Sequence, residues 1–286
     1  MSKIDQFESA FSAAAKPVYH HAQPPLARIV VFTDLEPVAA EAWGQAVRAF
    51  LGSLTFGGEP TWRIVTGRQC DTIGEVLAIV AKEQPDLVVT YRNLHSEAWR
   101  WPHSLSDHLE VLTQVADAPV LLMPRPAPDG QWEHPRDGTN AVMALNDHLS
   151  GDDRLVHWAV AFASERGRLW LTHIEDDATF DRYIDTISRI PEIDTDSARE
   201  RIKHQLLREP RDYIARVADV LAVAVPGLRV ESEVLMGHRV AVVRDLLATN
   251  HVDLLVLHTR DDEQLAMHGL SYPLTVELRD TPLLLL

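Results

Sequence analysis

The sequence predicts an α/β fold made of two parallel-sheet domains in tandem, and three observations lead to that prediction. Short apolar runs rich in β-branched residues alternate with segments whose apolar residues recur at helical spacing, as in βαβ units. The run Asp86–Thr90 recurs as Asp253–Leu257, and the offset is 253 − 86 = 167 residues. Each half then closes on a proline followed by an apolar run, Pro119–Met123 and Pro282–Leu286. An offset of this size indicates two related domains and not a short-period repeat.

The first half, residues 26–125, reads as four strands and three helices. Its helices are expected to end at helix-terminating glycine or proline residues, for example at Gly52. Upstream, residues 1–25 are expected to hold a short amphipathic helix over residues 3–15, because Ile4, Phe7 and Phe11 recur at helical spacing. The predicted elements of the first half are strands at Arg28–Thr33, Trp62–Thr66, Leu87–Thr90 and Val120–Met123, and helices at 37–51, Ile73–Lys82 and 104–116.

The second half, residues 139–286, follows a proline-rich linker at 126–138 that is expected to be extended and stiff. It reads as five strands, with a long charged helical region that we expect to be interrupted near Pro191 and Pro210. The predicted elements are strands at Ala141–Leu145, Leu169–His173, Leu228–Leu235, 253–258 and 282–286, and helices at 152–166, 178–224, 239–249 and 272–279.

The two halves differ in length between corresponding positions. The first half uses 67 − 34 = 33 residues from Asp34 to Gly67, whereas the second uses 237 − 146 = 91 from Asn146 to Gly237. The first domain is therefore predicted to be shortened by about one strand–helix unit.

Composition restricts the function classes. The formal net charge of −15 disfavours nucleic acid and anionic membranes as partners, since both require a positive surface. The single cysteine, Cys70, excludes an internal disulfide and fits a reducing, cytoplasmic location; we expect it to be a small packed residue and not a reactive thiol. No apolar run approaches the length of a membrane span.

In their order, these segments resemble the universal stress protein family in tandem form. The resemblance rests on apolar strands that end in Asp34 and in Asn146-Asp147, strands that are closed by Gly67 and Gly237, the repeated Asp-Leu-Val-Val and Asp-Leu-Leu-Val strands, and the apolar closing strands. It implies a flavodoxin-like or Rossmann-like α/β sandwich in each half, with the domains paired through their last strands. The strand at 282–286 is thus expected to pair with Val120–Met123, or with a second chain in a homodimer.

The resemblance also implies where a nucleotide would bind. ATP-binding members carry Gly, two residues, Gly, nine residues, Gly and Ser or Thr after the fourth strand, and such glycines let backbone N–H groups approach phosphate. In the first half these positions hold Tyr91, Leu94 and Ser104, so no glycine remains. In the second half they hold His258 and Asp261, and only Gly269 survives, with seven residues between it and Asp261 instead of nine. We expect a degraded ATP-binding loop with no bound cofactor, although ATP or AMP stays an alternative.

Polar residues gather at the predicted carboxyl ends of the second-half strands, where α/β sheets bind ligands. This pattern leaves open a small-ligand sensor that binds a nucleotide, an anion or a metal there. No short His-x-His or His-x-x-x-His pair supports a metal site, so none is predicted. The candidate ligand-binding residues are Asp147, His173, Gly237, His258, Gly269 and Ser271, with His148, Glu175, Asp176, His238, Asp261 and His268 nearby.

A second polar group lies in the first-half loop. Arg92, His95, Arg100 and His103 could hold an anion beside Trp99 and Trp101, but a solvated loop or a domain interface explains them more simply. No nucleophile elbow or phosphate-binding P-loop occurs, so no catalytic residue is predicted. The sequence therefore favours a non-enzymatic stress-response protein that acts through domain pairing or through contacts with an unidentified protein partner.

Overall fold

A computed structural model of the chain describes residues 18–54, 59–96, 105–132, 138–145, 153–259 and 270–286. The predicted helix at residues 3–15 lies outside these ranges. Within them, helices alternate with strands along both halves, as the periodicity of the sequence predicts. The strands are β1 Arg28–Phe32, β2 Thr61–Val65, β3 Leu87–Tyr91, β4 Val120–Met123, β5 Ala141–Leu145, β6 Arg168–Asp176, β7 Arg229–Gly237, β8 Leu254–Leu257 and β9 Leu283–Leu285. The helices are α1 Pro37–Phe50, α2 Ile73–Glu83, α3 Asp107–Val115, α4 Asp153–Phe162, α5 Asp177–Ile187, α6 Thr195–Ala224, α7 Arg239–Thr249 and α8 Ser271–Glu277.

All the described strands form one nine-stranded sheet in the order β2-β1-β3-β4-β9-β8-β5-β6-β7. Neighbouring strands run parallel within each half, and only β4 and β9, where the halves meet, run antiparallel. The first half contributes four strands and the second contributes five. The predicted α/β class, the tandem arrangement and the shortened first half are all confirmed.

The two halves are joined through the C-terminal strand, as expected for the intramolecular alternative. Leu121 pairs with Leu284 across the antiparallel junction, and Leu284 pairs on its other side with Val256 of β8. All three side chains are fully buried. The apolar end of the chain is therefore a central strand of the sheet and not an exposed edge.

Strand β6 and helix α6 differ from their predictions. Strand β6 continues past His173 to Asp176, because β7 pairs with it over nine residues up to the pair Asp176 and Gly237. The predicted interruption near Pro210 is wrong, since α6 runs unbroken through it. A proline within a helix costs about 3 kcal/mol, and we attribute the continuity to the buried side chains that follow it, Tyr213 and Val217 among them. The break near Pro191 is confirmed, because α5 ends at Ile187 and α6 begins at Thr195.

The linker is packed against the first half instead of extended. The N–H of Ala127 donates to the carbonyl of Gln131 at 2.8 Å, which closes a turn. Gly130 adopts φ +83° there, and a Cβ atom at that position would lie 2.1 Å from the carbonyl oxygen of Ala39 in α1. Trp132 then buries its ring edge-on against Phe50 at 5.6 Å. The prediction of a stiff extended linker is therefore wrong over residues 127–131.

Among the helices that the structure describes, none combines the length and the apolar composition needed to cross a membrane.

Candidate functional site

The carboxyl end of the first-half sheet holds a closed network of polar side chains centred on Asp34. Asp34 follows β1 by two residues, and Tyr91 is the last residue of the neighbouring strand β3. The Tyr91 hydroxyl donates to Oδ1 of Asp34. The same hydroxyl accepts from the backbone N–H of Asp34 at 2.9 Å and lies 2.9 Å from Oγ1 of Thr33. Its hydrogen-bonding capacity is therefore used entirely within the protein.

Tyr91 is held in place by packing. The side chain is fully buried, and its ring meets the ring of Trp43 in α1 edge-on at 5.5 Å. Burial and the hydrogen bond to the Asp34 carboxylate raise the pKa of Tyr91 above its ordinary value, so the phenol stays protonated and remains a donor. Tyr91 is thus a fixed part of the core.

The second carboxylate oxygen of Asp34 is also occupied. It accepts from the backbone N–H of His95 at 2.9 Å and faces Nη2 of Arg125 at 3.4 Å. The guanidinium of Arg125 lies over the ring of Tyr91, 5.4 Å from its centroid, and donates from Nη1 to the carbonyl of Asn93 at 2.6 Å. Loops that follow β1, β3 and β4 therefore meet at a single carboxylate.

The loop after β3 turns sharply so that this network can form. Asn93 and His95 adopt φ angles of +62° and +52°, a left-handed backbone conformation that residues other than glycine rarely adopt. Backbone strain of this kind persists only where the surroundings impose it. Here the bond from the His95 N–H to Asp34 and the bond from Arg125 to the Asn93 carbonyl hold the turn.

Cys70, His95 and Asp71 give the outline of a nucleophilic triad at this edge. Sγ of Cys70 lies 3.5 Å from Nε2 of His95, and Nδ1 of His95 lies 3.7 Å from a carboxylate oxygen of Asp71. Cys70 is fully buried, and burial raises the pKa of its thiol to about 12. Burial also lowers the pKa of His95, against the opposing effect of Asp34. The pair is a neutral thiol beside a neutral imidazole. An activated cysteine is instead a thiolate stabilised by a positive charge such as an imidazolium, so Cys70 is not activated.

In the second half, His173 is packed within a strand instead of ending one. It is 3% exposed inside β6, opposite Val234 of β7, and its Nε2 lies 2.8 Å from a carboxylate oxygen of Glu175. Asp176 ends the strand and caps α5 by accepting from the N–H of Thr179 at 2.7 Å. The hydrogen bonds from Thr179 lower the pKa of Asp176. The sequence-based placement of His173 at the strand end is therefore wrong, and a capping role accounts for Asp176.

The other second-half candidates are spread along this edge. Gly237 ends β7, where a Cβ atom would come within 3.0 Å of a methyl group of Val242. His258 follows β8 and is half-buried. Ser271 begins α8 and is 4% exposed, and its carbonyl accepts from the hydroxyl of Thr275 at 2.7 Å. His238 immediately precedes α7 and is exposed. Five of the named residues lie outside the described ranges: Asp147, Gly269, His148, Asp261 and His268.

Within the described ranges, no three or more histidine, cysteine, aspartate or glutamate side chains come together to hold a metal ion.

Arg92 does not face an anion, because the structure places it at the interface between the two halves. Its side chain is 6% exposed and donates from Nη1 to the carbonyl of Thr275 and from Nη2 to the carbonyl of Leu278. Burial lowers the pKa of Arg92 to about 10, which leaves it charged at neutral pH. Its charge lies at the carboxyl-terminal end of α8, which favours a cation. Arg100, His103, Trp99 and Trp101 lie outside the described residues.

The network around Asp34 is the feature that sequence reasoning missed. The sequence identifies Tyr91 as standing where the resemblance would place a glycine, but nothing in it pairs Tyr91 with Asp34, 57 residues earlier. A usable signal was present: a tyrosine at the last position of a buried strand that otherwise consists of leucine, valine and threonine requires a partner for its hydroxyl.

No protein-family model matches the chain, and no curated protein matches it either. Solved structures do resemble it. A universal stress protein from Archaeoglobus fulgidus DSM 4304 aligns with a TM-score of 0.49 at 10% identity, over 92% of this chain and 97% of that one. A functionally unknown protein from Pseudomonas aeruginosa PAO1 aligns with a TM-score of 0.48 at 13% identity, over 91% and 81% of the two chains. A candidate universal stress protein from P. aeruginosa UCBPP-PA14 aligns with a TM-score of 0.46 at 12% identity, over the same shares.

Proposed function

We propose that the chain is a tandem universal-stress-type protein that acts through contacts between its halves and with a protein partner, and not through catalysis. In this proposal the nucleotide site of the first half has been replaced by the Asp34 network. The single observation that carries the proposal is the position of Tyr91, a buried aromatic residue where the resemblance places a phosphate-binding glycine.

Among the described residues of this network, the groups that could hold a phosphate are already bonded within the protein. A phosphate held at this edge needs free backbone N–H groups, but the N–H of Asp34 is bonded to the Tyr91 hydroxyl and the N–H of His95 to the Asp34 carboxylate. The Asp34 carboxylate would also repel a phosphate. Arg125, the cation nearest to Asp34 in the described network, is already bonded to Asp34 and to the Asn93 carbonyl. The same closure argues against a nucleophile, since the Cys70 thiol is buried and protonated.

The experiment is native mass spectrometry of the gently purified chain, followed by thermal denaturation with about millimolar ATP, AMP or zinc. A ligand that binds only the folded state raises Tm by mass action. At a ligand concentration of a hundred times Kd, the free energy of unfolding increases by about 2.7 kcal/mol. We expect the bare mass of one chain and no shift with any of the three. A retained nucleotide or a clear rise in Tm would contradict the proposal.

Variants locate the site if a shift is seen. Asp147→Ala and His258→Ala alter the second-half edge, and Asp34→Asn alters the first-half network. A shift that survives in Asp34→Asn and disappears in the other two variants would establish the small-ligand sensor at the second-half edge. ATP hydrolysis above background that is abolished in Asp147→Ala would establish an enzyme instead.

A further inference from the structure

The residues that precede β1 form a strap between the two halves. We define the strap as residues 18–26. At one end, the N–H groups of Ala27 and Arg28 donate to the carboxylate of Asp86 in the first half, at 2.8 and 2.9 Å. At the other end, Tyr19 packs on the second half and is 2% exposed. Two consecutive prolines, Pro24 and Pro25, keep the connection extended.

Imidazole rings take part in the contact between the strap and the second half. The ring of His157 in α4 lies 5.5 Å from the ring of Tyr19 and 6.2 Å from the ring of His21, between centroids. Nε2 of His157 lies 2.7 Å from the carbonyl of His20, and the N–H of His20 faces the carboxylate of Asp153 at 3.3 Å. Nδ1 of His21 lies 3.2 Å from the Tyr19 hydroxyl. A histidine of the strap and a histidine of the second half therefore meet edge to face in a partly buried contact.

We propose that the strap is a pH-sensitive latch, in which protonation of His21, whose ring is docked against His157 and Tyr19, weakens the attachment of the strap to the second half and uncovers Tyr19. A positive charge on His21 lies in the partly buried contact against the ring of His157, where it is less well solvated than on a released strap. The protonated Nδ1 of His21 can only donate to the Tyr19 hydroxyl, so the hydroxyl must turn to accept that bond. The cost of the partly buried charge therefore acts while the strap is still docked and favours its release.

The surrounding charges determine the direction of the effect. Tyr19 contacts both imidazoles and the His20 carbonyl lies against Nε2 of His157, whereas Asp153 of α4 and Tyr213 of α6 act on the Tyr19 hydroxyl. Burial, with a smaller effect from His157, lowers the pKa of His21. Asp153 is the one acidic group among them, and it is engaged with the His20 N–H. A histidine whose pKa is lowered by docking favours the docked state above about pH 6.5 and loses that contribution as the pH falls.

Hydrogen–deuterium exchange of the full-length chain tests the latch. Protection of the peptide that covers the strap is compared at about pH 7.5 and pH 5.5, after correction for the intrinsic exchange rate. Each unit of pKa difference changes the docking equilibrium by about tenfold. Since pH 5.5 lies about one unit below the ordinary histidine pKa of about 6.5, we expect strap protection to fall by up to about tenfold, while the buried strand β3 keeps its protection. Unchanged strap protection at the lower pH would overturn the latch.

Matched variants separate the latch from general acid loosening. In the double variant H21N and H157Q, the amides keep a hydrogen-bonding atom near Nδ1 of His21 and Nε2 of His157 but do not titrate. We expect this variant to keep its strap protection at pH 5.5, whereas His204→Gln, at an exposed position on α6, behaves like the wild type. Equal loss of protection in the double variant would overturn the latch.

If the double variant is already undocked at pH 7.5, NMR of the wild-type histidine ring protons decides the question. Titration of His21 in step with the loss of strap protection supports the latch. Titration of His21 while the strap stays protected refutes it.

Discussion

Asp86 and Asp253, which head the two copies of the repeated strand, perform the same task in the two halves. One carboxylate oxygen of Asp86 accepts from the N–H groups of Ala27 and Arg28 at 2.8 and 2.9 Å. The corresponding oxygen of Asp253 accepts from the N–H groups of Asn140 and Ala141 at 2.8 and 3.0 Å. Each aspartate therefore caps the entrance of the neighbouring strand, β1 or β5. The repeat that stands out most in the sequence is a structural element and not a ligand site.

Replacing Asp253 tests this capping role. Asp253→Ala leaves two backbone donors without their charged acceptor, and we expect a loss of about 2–3 kcal/mol in the free energy of unfolding, measured in urea. Asp253→Asn keeps an oxygen that accepts both bonds but loses the charge, so its loss is expected to be about half as large.

The control is Asp219→Ala, at an exposed position on α6, which we expect to change the free energy of unfolding by less than about 0.5 kcal/mol. Asp86→Ala is expected to match Asp253→Ala. If alanine and asparagine at position 253 both behave like the control, the capping role is wrong.

Strand β9 is predicted to be indispensable because it lies between the two halves. It pairs with β4 on one side and with β8 on the other, and Leu284 is fully buried. Deleting residues 282–286 exposes the edges of two apolar strands, and such edges recruit other chains. We expect the truncated chain to be insoluble in a sedimentation assay. A soluble and cooperatively folding truncation would contradict the arrangement.

A matched pair of point variants makes the same test without shortening the chain. Leu284→Asp places an unpaired carboxylate in the dry centre of the sheet, where a buried charge is strongly destabilising. Leu235→Asp places the same group on β7, where the leucine is 36% exposed. We expect only Leu284→Asp to abolish the folded state, as seen by circular dichroism. Equal tolerance of both substitutions would show that β9 does not join the halves.

The regular parts of this fold were predictable because they depend on local pattern. The tandem repeat and the alternation of strands and helices follow from periodicity and from repeated apolar runs. The pairing of the C-terminal strand with Val120–Met123 is expected from the family resemblance, beside the alternative of a second chain. What escaped prediction depends on contacts between distant residues. The partner of Tyr91 lies 57 residues earlier, and Pro210 is tolerated inside α6, a helix with buried side chains on either side of it.

Arg92 is predicted to clamp the two halves. It is the residue after β3, and its guanidinium donates to two carbonyls near the end of α8 in the second half. Arg92→Met removes both donors and leaves buried carbonyls unsatisfied, so we expect a loss of about 2–4 kcal/mol in the free energy of unfolding. Lysine offers a point charge without the planar fork and is expected to recover part of that loss.

The control for Arg92 is Arg201→Met, at an exposed position on α6, for which we expect a change within about 0.5 kcal/mol. Urea denaturation of the three variants in parallel provides the comparison. A methionine variant as stable as the control would show that the bonds to the Thr275 and Leu278 carbonyls do not hold the interface.

Cys70 is predicted to be unreactive in the folded chain, and it is the only cysteine. With the pKa of its thiol raised to about 12 by burial, the thiolate fraction at about pH 8 is lower than that of a free cysteine by about a thousandfold. Ellman's reagent is therefore expected to react at least that much more slowly than with the same chain in denaturing urea.

The Cys70 thiol also makes stability depend on pH. Because the pKa of the thiol is higher in the folded than in the unfolded state, its contribution to stability is complete below about pH 8.5 and is lost as the pH rises towards 12. Cys70→Ala lacks this titration, so its free energy of unfolding is expected to fall less steeply with pH above about 8.5 than that of the wild type. Rapid labelling of the native chain, or identical slopes for the two proteins, would show that the thiol is exposed and that the Cys70–His95 pair is open to chemistry.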